Sequence, residues 1–224
     1  MTTLRLPRLY PIADLETIER CGWTLDVFVR GLAAGGAQIV QLRDKRGAPQ
    51  QVLRHAEIVT EALAGSGCIP VMNDRADLAL LAGWNAVHVG HLDLPPDAVR
   101  RVFGARDVMV GVSTHTAQQV IEADAGSADY IAVGPVFRTG TKVDAEPVIG
   151  LEGVRRARTL TSKPIVAIGG ITLENAAAVM DAGADSVAAI GALVPKGAGS
   201  PGTAPCSQVE TVEQVVRDFL RCLS

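Results

Sequence analysis

Eight short apolar runs punctuate the chain, and each is followed by a stretch whose apolar residues recur at helical spacing. The first run is Leu9-Tyr10-Pro11-Ile12. Leu25, Phe28, Val29 and Leu32 then line one face of a helix closed by Gly35-Gly36. The second run, 37–45, reads as a strand, and Val52, Ala56, Val59 and Leu63 mark the helix opened by Pro49. Further strands are expected at 69–72, 86–89, 108–112, 130–133, 164–168 and 186–190, and a final helix carries Val209, Val212, Val216, Phe219 and Leu223.

Several of these strands are apolar throughout instead of alternating with polar residues. That is the pattern of a parallel sheet buried on both faces. Eight β–α alternations in 224 residues predict one domain spanning 1–224, a closed (β/α)8 TIM barrel. The Gly/Pro-rich segment 195–206 predicts a flexible loop after the eighth strand.

Within the second strand, side-chain alternation places Ile39, Gln41, Arg43 and Lys45 on one face and Val40, Leu42 and Asp44 on the other. Val40 and Leu42 suit a covering helix. Two cations at the end of the opposite face call for an anion, and a phosphate or diphosphate fits them; solvated loop charges are the alternative. The other uncommon polar residues also follow strand ends: Asn73 and Asp74, Asp93, Ser113, and Thr139, Thr141 and Lys142. Strand starts read Ala37, Ile69, Ala86 and Val108. Chemistry in such barrels gathers at the carboxyl ends of the strands, so this asymmetry points to one shared mouth.

Asp74 and Asp93 are hard oxygen donors beside a phosphate-binding set and suggest Mg²⁺, although Asp74 could instead cap the next helix. Gly169-Gly170 and Gly191 lie in the loops where this fold binds phosphate through backbone N–H groups. The loop 138–142 offers two hydroxyls and an ammonium as a lid over phosphates. His88 and His91 fall on opposite faces with no third ligand nearby in sequence, which argues against zinc. His55 and His115 read as helix-surface and loop residues. No Ser-His-Asp or Cys-His arrangement stands out for covalent catalysis.

Charge nearly balances, with 21 Lys+Arg against 24 Asp+Glu for a net of −3, and no basic stripe indicates nucleic acid. No apolar run has membrane-spanning length, and the start lacks the apolar stretch of a signal peptide. Cys21, Cys68, Cys206 and Cys222 form no CxxC pair, as expected of reduced thiols in a cytoplasmic protein. Small molecules are the expected partners, and a homo-oligomer stays open.

The set Gln41-Leu42-Arg43-Asp44-Lys45, Asn73-Asp74, Asp93, Val112-Ser113, Gly134-Pro135-Val136-Phe137 with Thr139 and Thr141-Lys142, and Ile168-Gly169-Gly170-Ile171 resembles the thiamine phosphate synthase family over about residues 8–193. The resemblance implies Mg²⁺-dependent joining of hydroxymethylpyrimidine diphosphate to hydroxyethylthiazole phosphate. It implies that Arg43, Lys45, Asn73 and Lys142 hold the diphosphate, that Asp74 and Asp93 bind Mg²⁺, and that Gln41 contacts the pyrimidine. Ser113 would lie near the pyrimidine or the leaving group. Thr139, Thr141, Gly170 and the Ile190-Gly191 backbone would face the thiazole phosphate. Ser113, Lys142 and Arg43 would be the catalytic set.

His91, Arg138 and Gly191 depart from residues common in that family. The related thiazole tautomerase carries a catalytic histidine where this chain has Pro135. A phosphosugar isomerase or epimerase would use the two aspartates as acid and base without metal. A non-catalytic phosphate-ligand sensor would bind without turnover.

Overall fold

The computed structural model describes residues 5–139, 147–196 and 205–224. Eight parallel strands close into a barrel in sequence order: β1 Leu9–Asp14, β2 Ile39–Arg43, β3 Ile69–Asn73, β4 Ala86–Val89, β5 Met109–Thr114, β6 Tyr130–Val133, β7 Ile165–Ile168 and β8 Ser186–Ala189. The expected (β/α)8 barrel is therefore the architecture of the protein. The helices are α1 Leu15–Arg20, α2 Leu25–Ala34, α3 Pro49–Ala62, α4 Ala76–Leu81, α5 Pro96–Phe103, α6 Ala117–Ala125, α7 Gly150–Leu160, α8 Ala176–Asp181 and α9 Pro205–Cys222. A 3-10 turn, Gly191–Leu193, follows β8.

Two apolar layers hold this arrangement. Val40 and Leu42, Val87 and Val89, and Val187 and Ala189 point outward into the layer shared with the helices. The alternate residues, among them Ile39, Ala86, Tyr130, Ala132 and Ala188, fill the interior with Tyr10, Ile12, Val71 and Val166. One strand position is cut to size for its neighbour: Gly111 pairs with Tyr130, and a Cβ at 111 would lie 2.0 Å from the Tyr130 ring. A side chain there would evict the tyrosine from the barrel axis.

On the outside, Gly31 and Gly35 of α2 let α9 approach closely. A Cβ at either would come within 2.5 Å of Val212 or Val216. The short helix α1, which the apolar pattern missed, starts at Asp14, whose Oδ1 accepts from Thr17 N at 3.0 Å. Residues 197–204 of the expected 195–206 loop lie outside the described residues. Among the described residues no helix is long and apolar enough to cross a membrane.

Candidate active site

Strand alternation carries Gln41, Arg43, Asn73 and Ser113 to the mouth of the barrel, together with Tyr10, His88, Tyr130 and Ile190. They line a small cleft of about 40 Å³ open to solvent. The shared mouth expected from the sequence is present for Gln41, Arg43, Lys45, Asn73, Asp74, Asp93 and Ser113. Thr141 and Lys142 lie outside the described residues.

The two cations of β2 and the turn after it are not left awaiting an anion. Arg43 is ion-paired with Asp14, whose side chain is only 3% exposed. Lys45 Nζ lies 2.5 Å from Asp74 Oδ2. Asp14 was absent from the sequence reading because it ends a different strand and meets Arg43 only through the β1–β2 register. Lys45 differs from Arg43 in being 48% exposed, so it can leave its partner at little cost.

Asp74 adopts a left-handed φ of 61°, rare for a residue with a side chain. The turn is held by Asp74 N donating to His88 O at 2.7 Å and Arg75 N donating to Asn73 O at 2.7 Å. Helix α4 has Arg75 at its N-cap and no side-chain cap bond. Asp74 Oδ2 instead accepts from Asn73 Nδ2 at 2.6 Å and from Lys45. The capping alternative for Asp74 is thereby set aside.

Asp93 completes the group. Its Oδ2 accepts from Gly90 N at 2.9 Å. Its pKa is raised, first by burial, then by a hydrogen bond to Asp74 and by repulsion from that carboxylate; Gly90 N–H and Lys45 oppose the rise. Two adjacent carboxyl groups form a donor set suited to a cation. Mg²⁺ commonly takes one or two carboxylates, with phosphate oxygens and water filling the rest. Among the described residues no group of three or more His, Cys, Asp or Glu side chains is placed to hold a metal ion, so a metal here would rely on substrate oxygens.

On the opposite rim, Val136 N and Phe137 N donate to Ile168 O and Gly169 O, both at 2.9 Å, which draws the 136–139 segment onto the end of β7. Gly170 has a φ of 63°, and a Cβ there would lie 2.5 Å from Arg138 O. Thr139 and Gly170 thus sit on adjoining loops. A Cβ at Gly191 would meet nothing within 4 Å.

Three buried side chains, Tyr10, Tyr130 and His88, also reach the cleft, where the sequence pattern marked only their strands. Ser113 Oγ lies 2.9 Å from His88 Nε2, a serine–histidine pair made by neighbouring strands and invisible to spacing within one segment. The other ring nitrogen meets the Tyr130 phenol at 3.1 Å. The signal that could have found them is strand parity, since Tyr10 shares its face with Ile12 and His88 shares its face with Ala86. His55 also departs from a plain surface role: its Nδ1 lies 2.9 Å from Asp44 Oδ2. His115 Nδ1 lies 2.6 Å from Gly134 O, so this loop residue is tied down.

A closed eight-stranded barrel whose ionisable and amide side chains converge at the carboxyl ends of its strands defines a (β/α)8-barrel enzyme. A family model described as thiamine monophosphate synthase matches residues 9–193. A thiamine-phosphate synthase from Koribacter versatilis is 47% identical over 193 residues, covering 85% of this chain and 90% of the relative. One from Methanoculleus marisnigri is 43% identical over 189 residues, covering 84% and 88%. The solved thiamine phosphate pyrophosphorylase from Pyrococcus furiosus superposes with a TM-score of 0.75 at 29% identity, covering 95% of this chain and 96% of that one. The chain belongs to the thiamine monophosphate synthase family, and with it to the transferases.

Proposed function

We propose that the protein joins 4-amino-2-methyl-5-hydroxymethylpyrimidine diphosphate to hydroxyethylthiazole phosphate, giving thiamine phosphate and diphosphate. The reading is carried by one observation: Lys45, Asn73, Asp74 and Asp93, from three separate strand ends, form a single contiguous group beside Arg43. The names of the relatives support the same reaction.

Diphosphate departing from a methylene on an aminopyrimidine ring leaves a carbocation that the ring stabilises. Such a step needs neutralisation of the leaving group and correct placement of the thiazole nitrogen, with no protein nucleophile. Arg43, Lys45, Asn73 and Lys142 are assigned to the diphosphate. Lys45 would turn from Asp74 to an arriving phosphate, as its exposure permits. Gln41 and Ser113 are assigned to the pyrimidine side, with Ser113 also near the leaving group. Thr139, Thr141, Gly170 and the Ile190-Gly191 backbone are assigned to the thiazole phosphate. Asp74 and Asp93 would hold Mg²⁺, whose contribution is positive charge against the diphosphate.

The test mixes both substrates with Mg²⁺ and follows thiamine phosphate and diphosphate. Equal yields of the two products are expected. A folded protein that binds the thiazole phosphate yet forms neither product would overturn the proposal in favour of the tautomerase or sensor alternatives.

A further inference from the structure

Five inward side chains from five strands form one unbroken hydrogen-bonded chain beneath the mouth. Gln41 Nε2 donates to Tyr10 Oη at 3.1 Å. Tyr10 Oη lies 2.8 Å from Tyr130 Oη, which lies 3.1 Å from His88 Nδ1. His88 Nε2 lies 2.9 Å from Ser113 Oγ. The His88 ring is stacked on Tyr130, with centroids 5.6 Å apart and planes 25° from parallel, which holds the middle of the chain in register. The two ends, Gln41 and Ser113, both line the cleft.

Proton counting gives this chain a direction. An amide nitrogen donates only, a hydroxyl carries one proton, and a neutral imidazole carries one N–H. Gln41 occupies a lone pair of Tyr10, so the Tyr10 proton goes to Tyr130 and the Tyr130 proton goes to His88 Nδ1. For the neutral ring this places the His88 proton on Nε2, facing Ser113, and turns the Ser113 proton toward the cleft. Burial keeps both phenols protonated, with Tyr10 pushed up to about 12 and Tyr130 raised well above its ordinary value.

We infer that Tyr10, Tyr130 and His88 are positioning residues forming a one-way relay, which fixes Ser113 as a hydrogen-bond donor and Gln41 Oε1 as an acceptor toward the substrate. The relay sets specificity. A ring offering a donor to Gln41 and an acceptor to Ser113 matches it, and the reversed pattern leaves buried groups facing like groups. Because consecutive bonds polarise one another, deleting a middle member reaches both ends. This inference rests on the proposed roles of Gln41 and Ser113 as substrate contacts.

The test has two arms, both on the full chain. Long-range ¹H–¹⁵N spectra of histidine-labelled wild-type protein at neutral pH, with His88→Gln used for assignment, identify the protonated ring nitrogen. A proton on Nε2 alone is expected, while a proton on Nδ1, alone or with Nε2, overturns the relay. The second arm is a double-mutant cycle of Tyr130→Phe and Ser113→Ala on kcat. Tyr130→Phe is expected to lower kcat about tenfold. Ser113→Ala should then cost about tenfold less in the Tyr130→Phe background than in the wild type, whereas effects that simply multiply overturn the coupling. A wild-type protein that makes no thiamine phosphate counts against the proposed function alone, since the ring-proton assignment is read without turnover.

Discussion

Asp74 and Asp93 are brought together from the loops after β3 and β4, and burial first, then the neighbouring Asp74 carboxyl, raise the Asp93 pKa above its ordinary 3.8. A raised acid pKa means that the folded state holds the proton more tightly than the unfolded state. The stability this provides is present below the ordinary value and is lost as pH rises through the folded one. In metal-free buffer, Asp93→Asn should therefore gain in Tm relative to wild type as pH climbs through that window. If Asp74 and Asp93 hold Mg²⁺ as proposed, deprotonation of Asp93 should increase the apparent Mg²⁺ affinity of the wild type over the same interval. Titration calorimetry at several pH values checks this, and an affinity flat with pH would remove Asp93 from the proposed metal site.

Arg43 and Lys45 should differ in what their loss costs in stability. Arg43→Ala strands the buried Asp14 carboxylate, and a cost of about 3 kcal/mol is expected in urea unfolding. Lys45→Ala removes a half-exposed partner and should cost less than about 1 kcal/mol. Its loss should appear instead as a raised KM for the pyrimidine diphosphate.

The turn carrying Lys45 is tied by Asp44, which accepts from Arg46 N at 3.1 Å and Gly47 N at 2.7 Å and meets His55. A Cβ at 47 would lie 2.2 Å from Asp44 Oδ2. Gly47→Ala should displace that carboxylate and raise the diphosphate-substrate KM, about tenfold if one charged hydrogen bond is lost. Steady-state kinetics at fixed thiazole phosphate reads the effect, and an unchanged KM would show that the turn does not position Lys45.

Gly191 and Gly170, both proposed to face the thiazole phosphate, should behave oppositely. Gly191→Ser meets open space and should change stability by no more than about 0.5 kcal/mol. Gly170→Ala combines a left-handed φ with a backbone clash at Arg138, so a lower Tm and a weaker grip on the thiazole phosphate are expected. Thermal melts with and without that ligand distinguish the two.

Lys142→Ala should lower kcat by about 10²–10³, the usual cost of removing one preorganised charge donor from a developing anion. Retention of full rate would take Lys142 out of the catalytic set.

The barrel was legible because its strands and helices write their periods locally. Val40 and Leu42 alternate with Ile39 and Gln41, and that parity alone assigns them to helix-facing and interior layers. The clustering of Asn73, Asp74, Asp93 and Ser113 after strand ends was legible for the same reason, since a parallel barrel turns every strand end toward one mouth. Helix α1 escaped because six residues between Asp14 and Cys21 are too few to show a helical period.

What the sequence determined by itself was thus the closed parallel barrel, the face on which each strand residue lies, and the family to which its motifs belong. Only the tertiary structure decided who pairs with whom: Arg43 with Asp14, Lys45 with Asp74, Asp93 with Asp74, and the run from Gln41 through Tyr10, Tyr130 and His88 to Ser113. The reason is one of range. A period is set by neighbours along the chain, whereas Tyr10 and Tyr130 are separated by 120 positions and bond only because barrel closure brings their hydroxyls to 2.8 Å.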